Sequence, residues 1–380
     1  MFQPRYSLTA KAAKALMAIE ADRQVVAGLP LTAPMLDSLR RTARLLSTHF
    51  STQIEGNQLT RAQVQAVVEG EGNFPGRERD EAEVRHYFAA LEHAERLGRD
   101  QGKLTERDIR TIHGLVMTGK AKATPYREGQ NVIRDSRTGG IVYMPPEASD
   151  VPGLMRDLVI WVNAALAEGE IPVPVVAALA HYQFATVHPY FDGNGRTARL
   201  LTTLILHRSG YGLKGIYSLE EYYAQNLAGY YAGLSVGESH NYYMGRAEGD
   251  VTPFVEYFCV GMADAFGKVR SRAQEANRQI ELDQTPTLRA LSPQQRQALG
   301  LFLRLKTVTA KDVGSYFHCS SRSASALCVK WVKAGFLVIA NPSTKGRSYR
   351  LSDPYESLVA EQARQSPPPK SSSRKRRKKK

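Results

Sequence analysis

The segment His188-Pro189-Tyr190-Phe191-Asp192-Gly193-Asn194-Gly195-Arg196-Thr197-Ala198-Arg199 limits what this chain can fold into more than any other stretch. An apolar run from Val173 to Val187 precedes it and reads as a buried helix. Behind it, Ala198, Leu201, Leu204 and Ile205 recur at helical spacing. The segment is therefore expected to be a loop between two helices, with the second helix starting inside it. Gly193 and Gly195 let the backbone approach an anion, and the helix start offers free N–H groups and the positive end of a dipole. Arg196 and Arg199 fall on neighbouring positions of the first turns and can reach one anion. Asp192 would repel a bare phosphate, so it makes sense with a divalent cation in between. A glycine-rich cap beside a buried histidine would leave the arginine pair and Asn194 without a purpose.

The segment resembles the signature of the Fic family, H-x-F-x-D/E-G-N-G-R-x-x-R. Every polar position matches, and Tyr190 stands where the family has Phe. The resemblance implies a mainly α fold, with a Fic-type helical core and a β-hairpin flap. It implies a nucleotidyltransferase that moves AMP from ATP, with Mg²⁺, to a Ser, Thr or Tyr hydroxyl of a target protein or of itself. His188 would be the base that takes the hydroxyl proton, and Asp192 would hold the metal. Asn194 and the amides around Gly193 and Gly195 would bind the α-phosphate. Arg196 would hold the β-phosphate and Arg199 the γ-phosphate.

Over residues 34–55, Leu36, Leu39, Ala43, Leu46, Phe50 and Ile54 form one apolar helical stripe, which ends at Gly56. Ser51-Thr52-Gln53-Ile54-Glu55-Gly56 resembles the family's inhibitory motif, S/T-x-x-x-E-G/N. That resemblance implies that Glu55 pairs with Arg199, blocks the γ-phosphate site and misplaces ATP, while Ser51 fixes the helix. In some relatives the same glutamate orients a water that removes AMP, so an AMP-removing enzyme is the alternative within the family.

Between Tyr126 and Met144, two β-prone runs flank the polar turn Asp135-Ser136-Arg137-Thr138-Gly139-Gly140 and read as a hairpin. It matches the family's flap, with Val132 and Ile133 as the residues that clamp the target. Past the signature come three Tyr-Tyr pairs. Tyr230 and Tyr231 match the family's adenine pocket, through the run that ends at Leu234. The next stretch departs from the family: Ala247-Glu248-Gly249-Asp250 lacks the asparagine that several relatives carry there. A long helix over about 251–280 closes the core.

From Leu291 the pattern restarts as a small domain. A short helix over 309–317, a second over 321–334 and a hairpin over 336–351 read as a winged helix-turn-helix. Arg322, Ser325 and Lys330 on the second helix, and Lys345 and Arg347 at the wing tip, are the DNA-binding candidates. More than half of the net charge of +14 comes from eight Lys and Arg in the last fifteen residues, a disordered basic tail by composition. The expected domains are an N-terminal region with the inhibitory helix (1–70), a Fic core (71–280), a winged module (291–354) and the tail (366–380). A DNA-binding regulator with a nucleotide-sensing Fic domain is the reading from another class. The expected partners are a target protein and DNA, with a homodimer as a further option. No run of about 18 apolar residues suits a membrane span, and the start lacks the apolar core of a secretion signal. Three scattered cysteines suit a reducing compartment, so a cytoplasmic location is expected.

Overall fold

The computed structural model describes residues 2–359 except 30, 32, 101, 135–138, 238, 284–289, 303–304, 318, 344–345 and 358; of 277–283 and 293 it describes the backbone alone. The chain divides into two compact units, Met1–Asn277 and Arg278–Lys380.

The first unit is helical around one hairpin. Helices α1 (Ala10–Gly28), α2 (Ala33–Ile54), α3 (Arg61–Val68), α4 (Glu78–Leu97) and α5 (Glu106–Thr118) lead to strands β1 (Ile133–Arg134) and β2 (Ile141–Tyr143). Helices α6 (Val151–Glu168), α7 (Val173–Val187), α8 (Asn194–Arg208), α9 (Glu220–Gln225), α10 (Leu227–Leu234) and α11 (Thr252–Asp283) follow. Helix α7 is apolar on all sides and almost wholly buried, as expected of a central helix. It packs against α6 and α8. Local sequence sets the boundaries. The Thr105 hydroxyl accepts from the Asp108 amide at 3.1 Å while the Asp108 carboxylate accepts from the Thr105 amide at 3.0 Å, a reciprocal cap that starts α5. Gly119, at φ 68°, ends it in the left-handed region.

Residues 1–70 are not a separate body, since α2 packs on α4, α8 and α9. The apolar stripe is only part of the buried face of α2. Its C-terminal half also buries Ser47, Thr48, Ser51 and Thr52. Small hydroxyl side chains allow close packing here, and those of Ser47, Ser51 and Thr52 each find a hydrogen-bond partner, while the Thr48 hydroxyl has none. Ser47 donates to the buried Glu220 carboxylate at 2.7 Å, and Thr52 donates to the Thr48 carbonyl at 2.9 Å.

The hairpin pairs Ile133 with Tyr143 and Arg134 with Ile141, antiparallel, with an irregularity between the pairs. Of its expected turn, 135–140, residues 135–138 lie outside the described residues. The Tyr143 hydroxyl donates to the Thr186 carbonyl at 2.8 Å and ties β2 to the end of α7.

The second unit holds α12 (Pro293–Phe302), β3 (Val308–Thr309), α13 (Ala310–Tyr316), α14 (Ser321–Lys333), β4 (Leu337–Asn341) and β5 (Ser348–Leu351). The sheet order is β3-β5-β4, all antiparallel. Cys328, Trp331, Phe336 and Leu351 anchor its own small core. Among the described residues, no helix is long and apolar enough to cross a membrane.

Candidate active site

The signature loop joins α7 to α8 and is held from several sides. His188 caps α7 with φ 49° and ψ 59°, a left-handed backbone that is uncommon for a residue with a Cβ. Gly193, at φ 76°, starts α8. A Cβ there would meet the Met117 sulfur at 2.7 Å, so both backbone and packing require glycine. The Asn194 side chain is turned into the loop. Its Oδ1 accepts from the Tyr190 amide at 3.0 Å and its Nδ2 donates to the Tyr190 carbonyl at 2.8 Å. Sequence reasoning expects that side chain on a phosphate. Here both of its amide atoms bond within the loop, and the backbone amides at the start of α8 are the remaining donors at that helix end.

Two supports were not legible in the sequence. Arg127 is buried; its amide donates to Pro189 O at 2.9 Å and its Nε to His188 O at 3.0 Å. The His113 ring stacks on Tyr190, centroids 3.5 Å apart, and its Nε2–H reaches the Asp192 carbonyl at 2.9 Å. Both lie far from the signature in sequence, and neither stands in a motif.

His188 is partly buried, and desolvation lowers its pKa to about 4. Its Nδ1 lies 3.3 Å from the Ala185 carbonyl, which can only accept, so Nδ1 carries the proton. The other nitrogen, Nε2, is then an unprotonated base.

Arg199 is 1% exposed and is gripped by the end of α2. Its Nε donates to the Ser51 hydroxyl at 2.7 Å, and its Nη2 donates to Ser51 O at 3.0 Å and to Glu55 Oε1 at 2.8 Å. Burial is the largest influence and lowers the pKa of the guanidinium, but the charge and hydrogen bond of Glu55, with Tyr230 and Tyr87, together outweigh it and the net shift is upward. Its Nη1 is buried and has no hydrogen-bond partner. A Cβ on Gly195 would meet Glu55 Oε1 at 2.5 Å and Arg199 Nη1 at 3.2 Å. Glycine at 195 therefore lets Glu55 lie against the start of α8.

Arg196 is held differently. One end is ion-paired with Glu83 of α4, and its Nη2 pairs with Asp192 Oδ1 at 3.0 Å. Glu83 in turn accepts from Asn57 Nδ2 at 2.9 Å, and burial raises its pKa. The turn after α2 thus touches Arg199 through Glu55, and reaches Arg196 through Asn57 and Glu83. The half-exposed Asp192 is a single carboxylate beside the loop, and no cluster of three metal-binding side chains occurs among the described residues. One carboxylate fits Mg²⁺, which usually takes one or two protein oxygens plus substrate phosphates.

A cavity of about 280 Å³ opens over these groups. It is lined by His188, Asn194, Gly195, Arg199 and Glu55, by Ile133, Val142 and Tyr143 of the hairpin, by Tyr230, Tyr231, Leu234 and Arg246, and by Ala185, Thr186 and Ser235. Tyr230 is buried and its hydroxyl is 2.9 Å from His181 Nε2, so it is a packed wall; Tyr231 is 50% exposed and offers its ring. Val132 is not among the lining residues. Arg322, Ser325, Lys330 and Arg347 belong to the second unit, where all four are exposed; Lys345 and the tail lie outside the described residues.

Residues 103–206 match the Fic/DOC family. The chain is 28% identical to Protein adenylyltransferase Fic of Drosophila willistoni over 243 residues, which cover 64% of this chain and 45% of that one. It is 33% identical to Protein adenylyltransferase fic-1 of Caenorhabditis elegans over 228 residues, 58% of this chain and 40% of that one. The chain thus spans less than half the length of these curated relatives. A Fic family protein from Desulfovibrio desulfuricans G20 shares the fold, with a TM-score of 0.61 and 24% identity over 93% of this chain and 99% of that one. The solved structure of Fic-1 from C. elegans is similar at a TM-score of 0.54 and 26% identity, over 70% of this chain and 73% of that one. Residues 103–206 of this chain thus form a Fic/DOC domain.

Proposed function

We propose that this protein transfers AMP from ATP to a hydroxyl of a target protein, and that Glu55 holds the reaction in check. The observation that carries the reading is the shared cavity. It brings a neutral imidazole, a helix N-terminus and a buried arginine to one place, and the arginine is already occupied by a carboxylate. The α-phosphate sits at the start of α8, where backbone amides meet the charge that builds up during attack. His188 Nε2 takes the proton of the incoming hydroxyl. The hydroxyl oxygen forms a bond to the α-phosphorus, the bond from that phosphorus to the bridging oxygen breaks, and pyrophosphate leaves with its electron pair. Arg199, freed from Glu55, holds the γ-phosphate. Asp192 would hold Mg²⁺, which supplies charge neutralisation on the phosphates. Ile133 and Val132 on the flap would pair with the target segment. The test is retention on protein of label from the α-phosphate but not from the γ-phosphate of ATP. Three free cysteines accord with a cytoplasmic setting.

A second role rests on the second unit. Its helix pair and three-stranded sheet support a winged-helix reading, with Arg322, Ser325 and Lys330 exposed along α14 and Arg347 beside the β4–β5 turn. We infer that this face contacts DNA. In a mobility-shift assay on the full chain, Arg322→Ala with Lys330→Ala is expected to weaken binding and reduce its salt dependence by about two charges. An unchanged salt slope would leave the basic tail as the whole source of affinity.

A further inference from the structure

Behind the cavity, three buried side chains from three helices form one line of hydrogen bonds. They are Thr202 of α8, His181 of α7 and Tyr230 of α10. His181 Nδ1 lies 2.9 Å from Thr202 Oγ1, and its Nε2 lies 2.9 Å from the Tyr230 hydroxyl. At one end, Thr202 Oγ1 lies 3.0 Å from the Ala198 carbonyl. At the other end the line meets Arg199. Burial pushes the Tyr230 hydroxyl up to about 12, and the Arg199 charge and a weak side-chain hydrogen bond from it work against that rise. Arg199 Nε and Nη2 already commit their three N–H groups to Ser51 and Glu55, so the group left to face Tyr230 is Nη1. Nη1 has no partner at ordinary hydrogen-bond distance.

The two ends fix the direction of the line. A carbonyl only accepts, so Thr202 donates to Ala198 and its oxygen accepts from His181 Nδ1–H. A guanidinium only donates, so the Tyr230 proton turns away from Arg199 and goes to His181 Nε2. Both ends demand the same tautomer of His181, and the Tyr230 oxygen keeps its lone pairs toward Arg199. Burial, with the Arg199 charge, holds the His181 pKa at about 3, so the ring stays neutral at neutral pH.

We propose that His181 is a positioning residue for the transfer reaction: through Tyr230 it holds an acceptor beside Nη1 of Arg199 and so aims that arginine at the γ-phosphate. This rests on the reading of Arg199 as the γ-phosphate group. The Ser51 and Glu55 contacts of Arg199 all come from α2, the helix that carries the restraint. Tyr230 comes from α10 and takes its orientation from α7 and α8, so it is an anchor that does not depend on Glu55. One N–H of Nη1 turns to Tyr230 and the other is left for the anion. A guanidinium aimed before the nucleotide arrives loses less freedom on binding.

The test measures equilibrium binding of ATP and ADP to the full chain carrying Glu55→Gly, with and without Tyr230→Phe or Thr202→Val. Tyr230→Phe keeps the ring and removes the acceptor. Thr202→Val removes the acceptor of Nδ1–H, which drives His181 to the other tautomer and turns the Tyr230 proton toward Arg199. Each is expected to weaken ATP about tenfold and to change ADP, which has no γ-phosphate, by less than about twofold. In ¹⁵N-histidine spectra of the full chain, with His181 assigned through its loss in His181→Gln, Nδ1 is expected to carry the proton, and Thr202→Val to move it to Nε2. Equal loss of ATP and ADP, unchanged ATP binding in Tyr230→Phe, or a proton on Nε2 in the parent chain overturns the proposal. If Glu55→Gly alone binds ATP no more tightly than ADP, the γ-phosphate role of Arg199 falls, and the aiming role of His181 falls with it.

Discussion

In the Glu55→Gly background, His188→Ala is expected to lower AMP transfer by about two to four orders of magnitude and to leave nucleotide binding unchanged. The side chain caps α7 with its Nδ1–H committed to the Ala185 carbonyl, so Nε2 is the one free basic nitrogen of the ring. With a pKa of about 4, the ring is neutral at pH 7 and ready to accept a proton. Bound phosphates bring negative charge nearby and raise that pKa toward the range where a base works well. Removal of the imidazole takes away the proton acceptor but none of the phosphate contacts, which come from the start of α8 and from Arg199. Nucleotide affinity and single-turnover label transfer, measured on the same variant, separate the two. Transfer near the rate of Glu55→Gly alone would remove His188 as the base.

The second large effect is on stability in mild acid. Desolvation holds His113, His188 and His207 at about 4 and the fully buried His181 at about 3. In the unfolded chain each returns to about 6.5. Between these values the unfolded state binds more protons than the native state, so stability rises with pH across the window and is lost as pH falls below about 6.5. At pH 5 each histidine would cost about 2 kcal/mol relative to neutral pH. Together they approach the whole stability of a typical domain, about 5–15 kcal/mol. Glu83 works in the opposite direction, because its raised pKa eases its protonation, but it is a single group. Urea unfolding followed at pH 7.5, 6 and 5 should show a steep fall in midpoint. A midpoint that stays level from pH 7.5 to 5 would contradict the burial of these rings in neutral form.

Much of this was legible from local pattern. The periodicity of 173–187 and of the run behind Ala198 places α7 and α8, and the glycines at 193 and 195 mark where the backbone must turn and approach. Glu55 and Arg199 are 144 positions apart, and only the resemblance joins them. The supporting contacts were out of reach of sequence for a physical reason. Arg127, His113 and Glu83 act through backbone carbonyls or single ion pairs across the fold, and such partners leave no spacing behind. The buried hydroxyl face of α2 was missed because periodicity reasoning counts apolar residues, while Ser47, Ser51 and Thr52 are buried by virtue of their hydrogen bonds. Asn194 shows the reverse case. Its type suggested a ligand contact, but both ends of its amide are satisfied inside the loop.

The most direct measurement compares the parent chain with Glu55→Gly for transfer of α-phosphate label from ATP to protein in a cell lysate. Loss of Glu55 removes the carboxylate partner of Arg199 and clears the space against Gly195, so an anion can take its place beside Nη1. The Ser51 contacts remain and keep the arginine in position. The expected result is strong α-label on discrete target bands with Glu55→Gly, little with the parent, and no retained γ-label from either. Equal α-labelling by the two proteins, with equal ATP affinity, would contradict restraint by Glu55, and retained γ-label would contradict AMP transfer itself.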